Sequence, residues 1–338
     1  MSDISPHLKA EKHGALGLLT LNRPRALNAL DHGMILGISA QLRAWADDDG
    51  IQTVAIRGAG ERAFCSGGDI RAVQQAVVAG SEEGLVLLRD EYRMNALIGS
   101  YPKPYIALIH GICMGGGAGV SVHGRYRLAD ASLSFAMPET GIGFIPDVGA
   151  SFFLSRLPDE MGMYLGLTGG AIGQADALDL GLMTHAVAQE DFDAVIAALA
   201  GGRDFSSLVR KREMGALASH RRRVATIFAA SSVEAILERL DRDGSVFARD
   251  TAQIIRTRSP LSLKLVFRQL RAAQTLDLRQ CLAMEFRLAN RVLFGHDFRE
   301  GVRAALIDKD RDPRWQPSSL AGVGDIDGFF APLANELF

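Results

Sequence analysis

Glu139 and Asp147 stand eight positions apart in the stretch Ala136-Met-Pro-Glu-Thr-Gly-Ile-Gly-Phe-Ile-Pro-Asp-Val-Gly-Ala150. A carboxylate that follows a proline is often no more than a helix-start acid, favoured there by a few tenths of a kcal/mol. These two lie among Met137, Ile142, Phe144, Ile145 and Val148, and apolar surroundings raise a carboxyl pKa toward the range useful for moving protons. Upstream are two glycine-rich turns, Phe64-Cys-Ser-Gly-Gly-Asp69 and His110-Gly-Ile-Cys-Met-Gly-Gly-Gly-Ala-Gly119. Glycine lets the main chain approach a ligand without a Cβ in the way, so both turns suit backbone N–H groups aimed at a developing oxyanion. Oxyanion donors together with a pair of acids suggest an enzyme of acyl-thioester chemistry.

The elements that must position these residues alternate short apolar runs with helix-like segments, the pattern of an α/β fold. Gly14–Leu21, Thr53–Arg57 and Tyr105–Ile109 read as strands, the last two delivering the chain into the glycine turns. Asn28 to Trp45 has helical spacing with Asp31 placed at its start. The run from Gly115 to Val122 predicts the opening of another helix, whose first N–H groups lack intrahelical partners. Tyr126–Ala129 and Leu133–Phe135 are strand pieces leading to Pro138-Glu139. From about residue 204 the texture turns helical, with Val233–Leu240, Leu261–Ala273 and Leu278–Phe294 periodic. The expected organisation is a core domain over residues 1–204 and a helical C-terminal region over 205–338, consistent with single cores that stop growing near about 250–300 residues.

Composition removes several function classes. The 338 residues carry 37 basic and 39 acidic side chains, a formal charge of −2 that offers no global attraction to nucleic acid or an anionic membrane. Cys65, Cys113 and Cys281 form neither a disulfide framework nor a zinc pattern, which fits a reducing, cytoplasmic setting. The first residues resemble no signal or transit peptide, and no apolar run approaches the roughly 18 residues of a membrane span.

Rival chemistries fit less of the chain. Gly115-Gly-Gly-Ala-Gly119 with Glu139 twenty residues on resembles the dinucleotide fingerprint of an NAD-binding dehydrogenase. That reading leaves the first Gly-Gly turn unused and puts the fingerprint a third of the way along the chain. No Gly-x-Ser-x-Gly elbow accompanies Ser121 and His123. Cys65 and Cys113 read as small buried hydrophobes and His110 as a structural histidine. Arg221-Arg-Arg223 reads as a solvated helix face.

Leu19-Thr-Leu-Asn-Arg-Pro-Arg-Ala-Leu-Asn-Ala-Leu30 and Lys103-Pro-Tyr-Ile-Ala-Leu-Ile-His-Gly111, with the turns and acids above, resemble the crotonase, or enoyl-CoA hydratase/isomerase, superfamily, and within it the branch of 3-hydroxyisobutyryl-CoA hydrolases. The resemblance is dense from Leu18 to about Leu182. It implies a crotonase-like β-β-α spiral core with an oxyanion hole from the amides of Gly68 and Gly116. It further implies catalytic roles for Glu139 and Asp147, and substrate contacts from Glu91, Gly67, Asp69 and Gly116. Arg25, Ala26 and Leu27, with Ala63 and Ser66, would hold CoA. Hydratases of the superfamily use a second glutamate on the helix after the second turn, where this chain has Gly119, so hydratase and dienoyl-CoA isomerase chemistry are the weaker expectations. Because coenzyme A is part of the substrate, no metal or redox cofactor is implied, and a homo-oligomer is left open.

Overall fold

The computed structural model describes residues 5–338. Its strands are β1 (Leu8–His13), β2 (Leu16–Leu21), β3 (Thr53–Gly58), β4 (Ala63–Cys65), β5 (Tyr105–Ile109), β6 (Ile112–Met114), β7 (Tyr126–Ala129), β8 (Ser134–Ala136) and β9 (His185–Ala186). The helices are α1 (His32–Ala46), α2 (Ile70–Val78), α3 (Glu83–Gly99), α4 (Gly116–Gly119), α5 (Ala150–Leu154), α6 (Met161–Thr168), α7 (Gln174–Asp179), α8 (Phe192–Ala200), α9 (Arg221–Phe228), α10 (Val233–Asp243), α11 (Val246–Arg256), α12 (Pro260–Ala273), α13 (Leu278–Val292), α14 (His296–Val302) and α15 (Asp327–Phe330).

One sheet runs β1-β2-β3-β5-β7-β9 and a smaller one β4-β6-β8. Among the described residues, β1–β2 is the one antiparallel pairing between these strands. Parallel neighbours need a crossover between them, and here the chain lays a strand in the large sheet, then one in the small sheet, then a helical segment. It does so from β3 and β4, from β5 and β6, and from β7 and β8. This is the β-β-α spiral, and it sends the end of each small-sheet strand into a turn. Strand β2 is buried at every position, as expected where both faces of a sheet are covered. On one face Leu16, Leu18, Ala55, Ile106, Leu108 and Leu128 pack with Val195, Ile196 and Leu199 of α8.

Two compact units emerge. The first comprises the chain through Asp69, Asp90–Ala136 and Ile172–Ala218; the second comprises Ile70–Arg89, Met137–Ala171 and Ser219–Phe338. Sheets and glycine turns belong to the first, and α5, α6 and α9 to α15 to the second. The units are therefore interleaved along the chain, whereas the expected organisation divides it once at residue 204.

Helix starts are chemically marked. Asp31 caps α1 through the Met34 N–H, Ser259 caps α12 with Pro260 following, and Asp277 and Gln280 form a reciprocal capping box on α13. Two expectations change. The glycine run yields only four residues of helix in α4, because three of those four residues are glycines. Strand β1 is additional: Leu-Lys-Ala-Glu-Lys-His is a mostly exposed edge strand, and its charged residues leave no apolar alternation to read.

Candidate active site

The two glycine turns meet within the first unit. A Cβ on Gly116 would stand 3.1 Å from the Gly68 nitrogen, and one on Gly117 would be 2.3 Å from the Cys65 carbonyl oxygen. Only glycine permits this approach. Gly67 reinforces it with φ 116°, a conformation that side chains avoid. Among the described residues, neither the Gly68 nor the Gly116 N–H donates to a backbone carbonyl.

Glu91 on α3 belongs to the same cluster. Its side chain is 2% exposed, and its Oε1 would lie 2.5 Å from a Cβ at Gly116. The absence of a Cβ at 116 thus makes room for a buried carboxylate. Asp69 is placed differently: its carboxylate accepts from Arg23 Nη2 at 3.2 Å, and its N–H donates to the Leu30 carbonyl. These bonds make Asp69 a clamp on the preceding loop.

The segments expected to hold CoA are joined directly. The Ser66 N–H donates to the Leu27 carbonyl at 3.0 Å, and Asn28 Nδ2 donates to the carbonyls of Ala59 and Ala63. Arg25 and Ala26 are exposed on a 3-10 turn, which Leu27 closes with φ 53°.

The acids form a second cluster, within the second unit. Glu139 opens a 3-10 turn, Glu139–Ile142, and is 7% exposed; Asp147 is 6% exposed. Burial, with Asp147 and then Glu285 beside it, holds the Glu139 carboxyl well above the usual carboxylate range. Among the described residues, Glu139 Oε2 has no hydrogen-bond partner. Sequence reading missed Glu285. It lies on α13 and accepts from the Gly149 N–H at 2.7 Å, the Ser151 N–H at 2.8 Å and the Ser151 hydroxyl. Burial pushes its carboxyl up to about 8, with Asp147 adding to the shift and those donors opposing it. A signal was present, because Glu285 interrupts a buried helical stripe of Cys281, Leu288 and Val292.

The rival nucleophiles are structural. The Ser121 hydroxyl donates to the Gly117 and Ala118 carbonyls, burial raises the Cys65 thiol, and burial pushes the Cys113 thiol up to about 12. His110 is buried, its ring edge-on to Phe192, and burial lowers its pKa. Arg221 and Arg223 pair with Asp159 and Asp243 at the surface. Among the described residues no group of three or more His, Cys, Asp or Glu is arranged to hold a metal ion, and no helix is long and apolar enough to cross a membrane.

A family model described as enoyl-CoA hydratase/isomerase matches residues 16–328. Among curated relatives, the mitochondrial 3-hydroxyisobutyryl-CoA hydrolase of Danio rerio is 44% identical over 96% of this chain and 89% of its own length. The Homo sapiens protein of that name is 42% identical over 99% and 91%. A solved structure described as a carnitinyl-CoA dehydratase from Mycobacterium thermoresistibile superposes with a TM-score of 0.94 at 38% identity, covering 99% of both chains. One described as an enoyl-CoA hydratase from Rhodobacter sphaeroides gives 0.92 at 37%, covering 97% of this chain and 98% of that one. On a family match of this extent and relatives this similar over nearly their whole length, the chain belongs to the enoyl-CoA hydratase/isomerase family.

Proposed function

We propose that this protein hydrolyses the thioester of 3-hydroxyisobutyryl-CoA to 3-hydroxyisobutyrate and CoA, a step of valine degradation. The substrate follows from the names of the curated relatives, which match nearly the whole chain. Hydrolysis over hydration is carried by Gly119, a buried position without a side chain where the family's hydratases place their second acid. Adding water across a double bond needs two acids to hold and split one water molecule.

In this reading the amides of Gly68 and Gly116 polarise the thioester carbonyl and stabilise the tetrahedral oxyanion. Glu139 acts on the carbonyl carbon, either attacking it to give a mixed anhydride or drawing a proton from an attacking water. A raised pKa suits both, since such a carboxylate is a stronger base and nucleophile once ionised. The leaving thiol, with a pKa of about 8.5 as for cysteine, needs little help, so Asp147 serves to orient the water or to protonate the departing sulfur. Glu91 accepts the hydrogen bond of the substrate's 3-hydroxyl, and the Arg25–Leu27 and Ala63–Ser66 segments bind CoA. Removing one oxyanion donor costs about 10²–10³ in rate.

Hydration is the second reading. The descriptions of the two solved structures favour it, as does Glu91, which could replace the missing acid. An assay panel separates the two: thiol release from short 3-hydroxyacyl-CoA esters against loss of absorbance from their enoyl counterparts. Hydrolysis predicts thiol release without enoyl loss, and the reverse pattern rejects it. A reducing compartment accords with three buried free cysteines; the curated relatives are named mitochondrial, so a cytoplasmic location remains a proposal. Self-association likewise stands as a proposal, read by light scattering.

A further inference from the structure

We infer that Glu285 is a positioning residue for Asp147, fastening the strained turn that follows it. The inference rests on the reading of Asp147 and Glu139 as catalytic groups. The turn is Asp147-Val148-Gly149. Val148 has φ 54°, an outlier for a β-branched side chain, and Gly149 has φ 86°. Such backbone persists only where its surroundings over-determine it.

Two helices provide that determination from opposite sides of Asp147. Before it, Gln269 of α12 donates from Nε2 to the Pro146 carbonyl at 2.7 Å. After it, Glu285 of α13 receives the Gly149 and Ser151 N–H groups and the Ser151 hydroxyl. Gln269 and Glu285 are both fully buried. No cation among the described residues pairs with Glu285, and a buried acid without one is normally inferior to an apolar residue of similar size. Its retention in an otherwise apolar stripe is explained by what it holds. A carboxylate can accept from all three donors at once, whereas an amide would oppose one of them with its own NH2 group.

The titratable groups around Glu285 are Asp147 from the turn, Glu139 from the 3-10 turn and Cys281 one helical turn earlier; α5 presents the uncharged Ser151. Three neighbouring carboxyls titrate as a set, and Glu285, with its carboxyl pushed up to about 8, is neutral at lower pH.

The test compares kcat and KM of Glu285→Gln, Ser151→Ala and Asp147→Asn in the full chain. For Glu285→Gln we expect kcat to fall about tenfold or more with KM little changed. Ser151→Ala, which removes one donor and keeps the carboxyl, should lower kcat by a smaller factor. Wild-type kcat in Glu285→Gln would overturn the inference. Should Glu285→Gln not fold, Ser151→Ala decides: lowered kcat at an unchanged melting temperature supports the inference, and unchanged kcat rejects it. If Asp147→Asn is itself fully active, the underlying catalytic reading has failed; if it is slow while Glu285→Gln is not, only the positioning role has.

Discussion

Glu91 and Gly116 show how one residue's absence of a side chain serves another's chemistry. The Glu91 carboxylate occupies the space a Cβ at 116 would need, at 2.5 Å from its Oε1. Gly116→Ala should therefore displace Glu91 as well as the Gly116 amide. The expected outcome is a loss of about 10² or more in kcat/KM for the hydroxyacyl ester, with the fold retained by circular dichroism. A variant as active as wild type would detach Glu91 from the site. The glycine requirement was legible in the sequence, because two Gly-Gly turns after apolar strands announce close backbone approach. That a carboxylate 25 residues before Gly116 fills the same space was not, since it depends on how α3 returns to the turns. Asp69 illustrates the same limit, for its neighbour Gly68 is visible in sequence whereas its bond to Arg23 is not.

At the scale of elements, periodicity carried far. Strands β2, β3, β5 and β7 and helices α1, α10, α12 and α13 fall close to where apolar spacing and caps place them, because each buries a defined stripe. Strand β1 escaped because an edge strand needs no apolar alternation, and α4 was overestimated because glycines sustain little helix. Helix α13 carries a consequence for stability. Glu285 has an ordinary value of 4.5 and a folded value of about 8, so between these the folded chain holds a proton that the unfolded chain has released. Its contribution is complete below the lower value and lost as pH rises through the upper one. Glu139 is displaced in the same direction. Calorimetry should show a melting temperature that falls as pH is raised from about 5 to about 8, with a flatter decline in Glu285→Gln. An identical slope in both proteins would contradict the buried-acid description of α13.

At the scale of the whole molecule, the sequence suggested a core followed by a helical region, and the chain instead interleaves two units, one holding the glycine turns and the other the acids. Contacts between residues far apart in sequence decide this, and local pattern is blind to them. The two clusters belong to different units: the first holds Gly68, Gly116 and Glu91, and the second holds Glu139 and Asp147, with the backbone on either side of Asp147 braced by α12 and α13. The central claim is that Glu139 performs thioester hydrolysis. Its most direct test is thiol release from 3-hydroxyisobutyryl-CoA by wild type and by Glu139→Gln, alongside equilibrium binding of the ester to each. The account predicts release by wild type, and in the variant retained binding with release slowed by about 10²-fold or more. Equal release by the two proteins would contradict it.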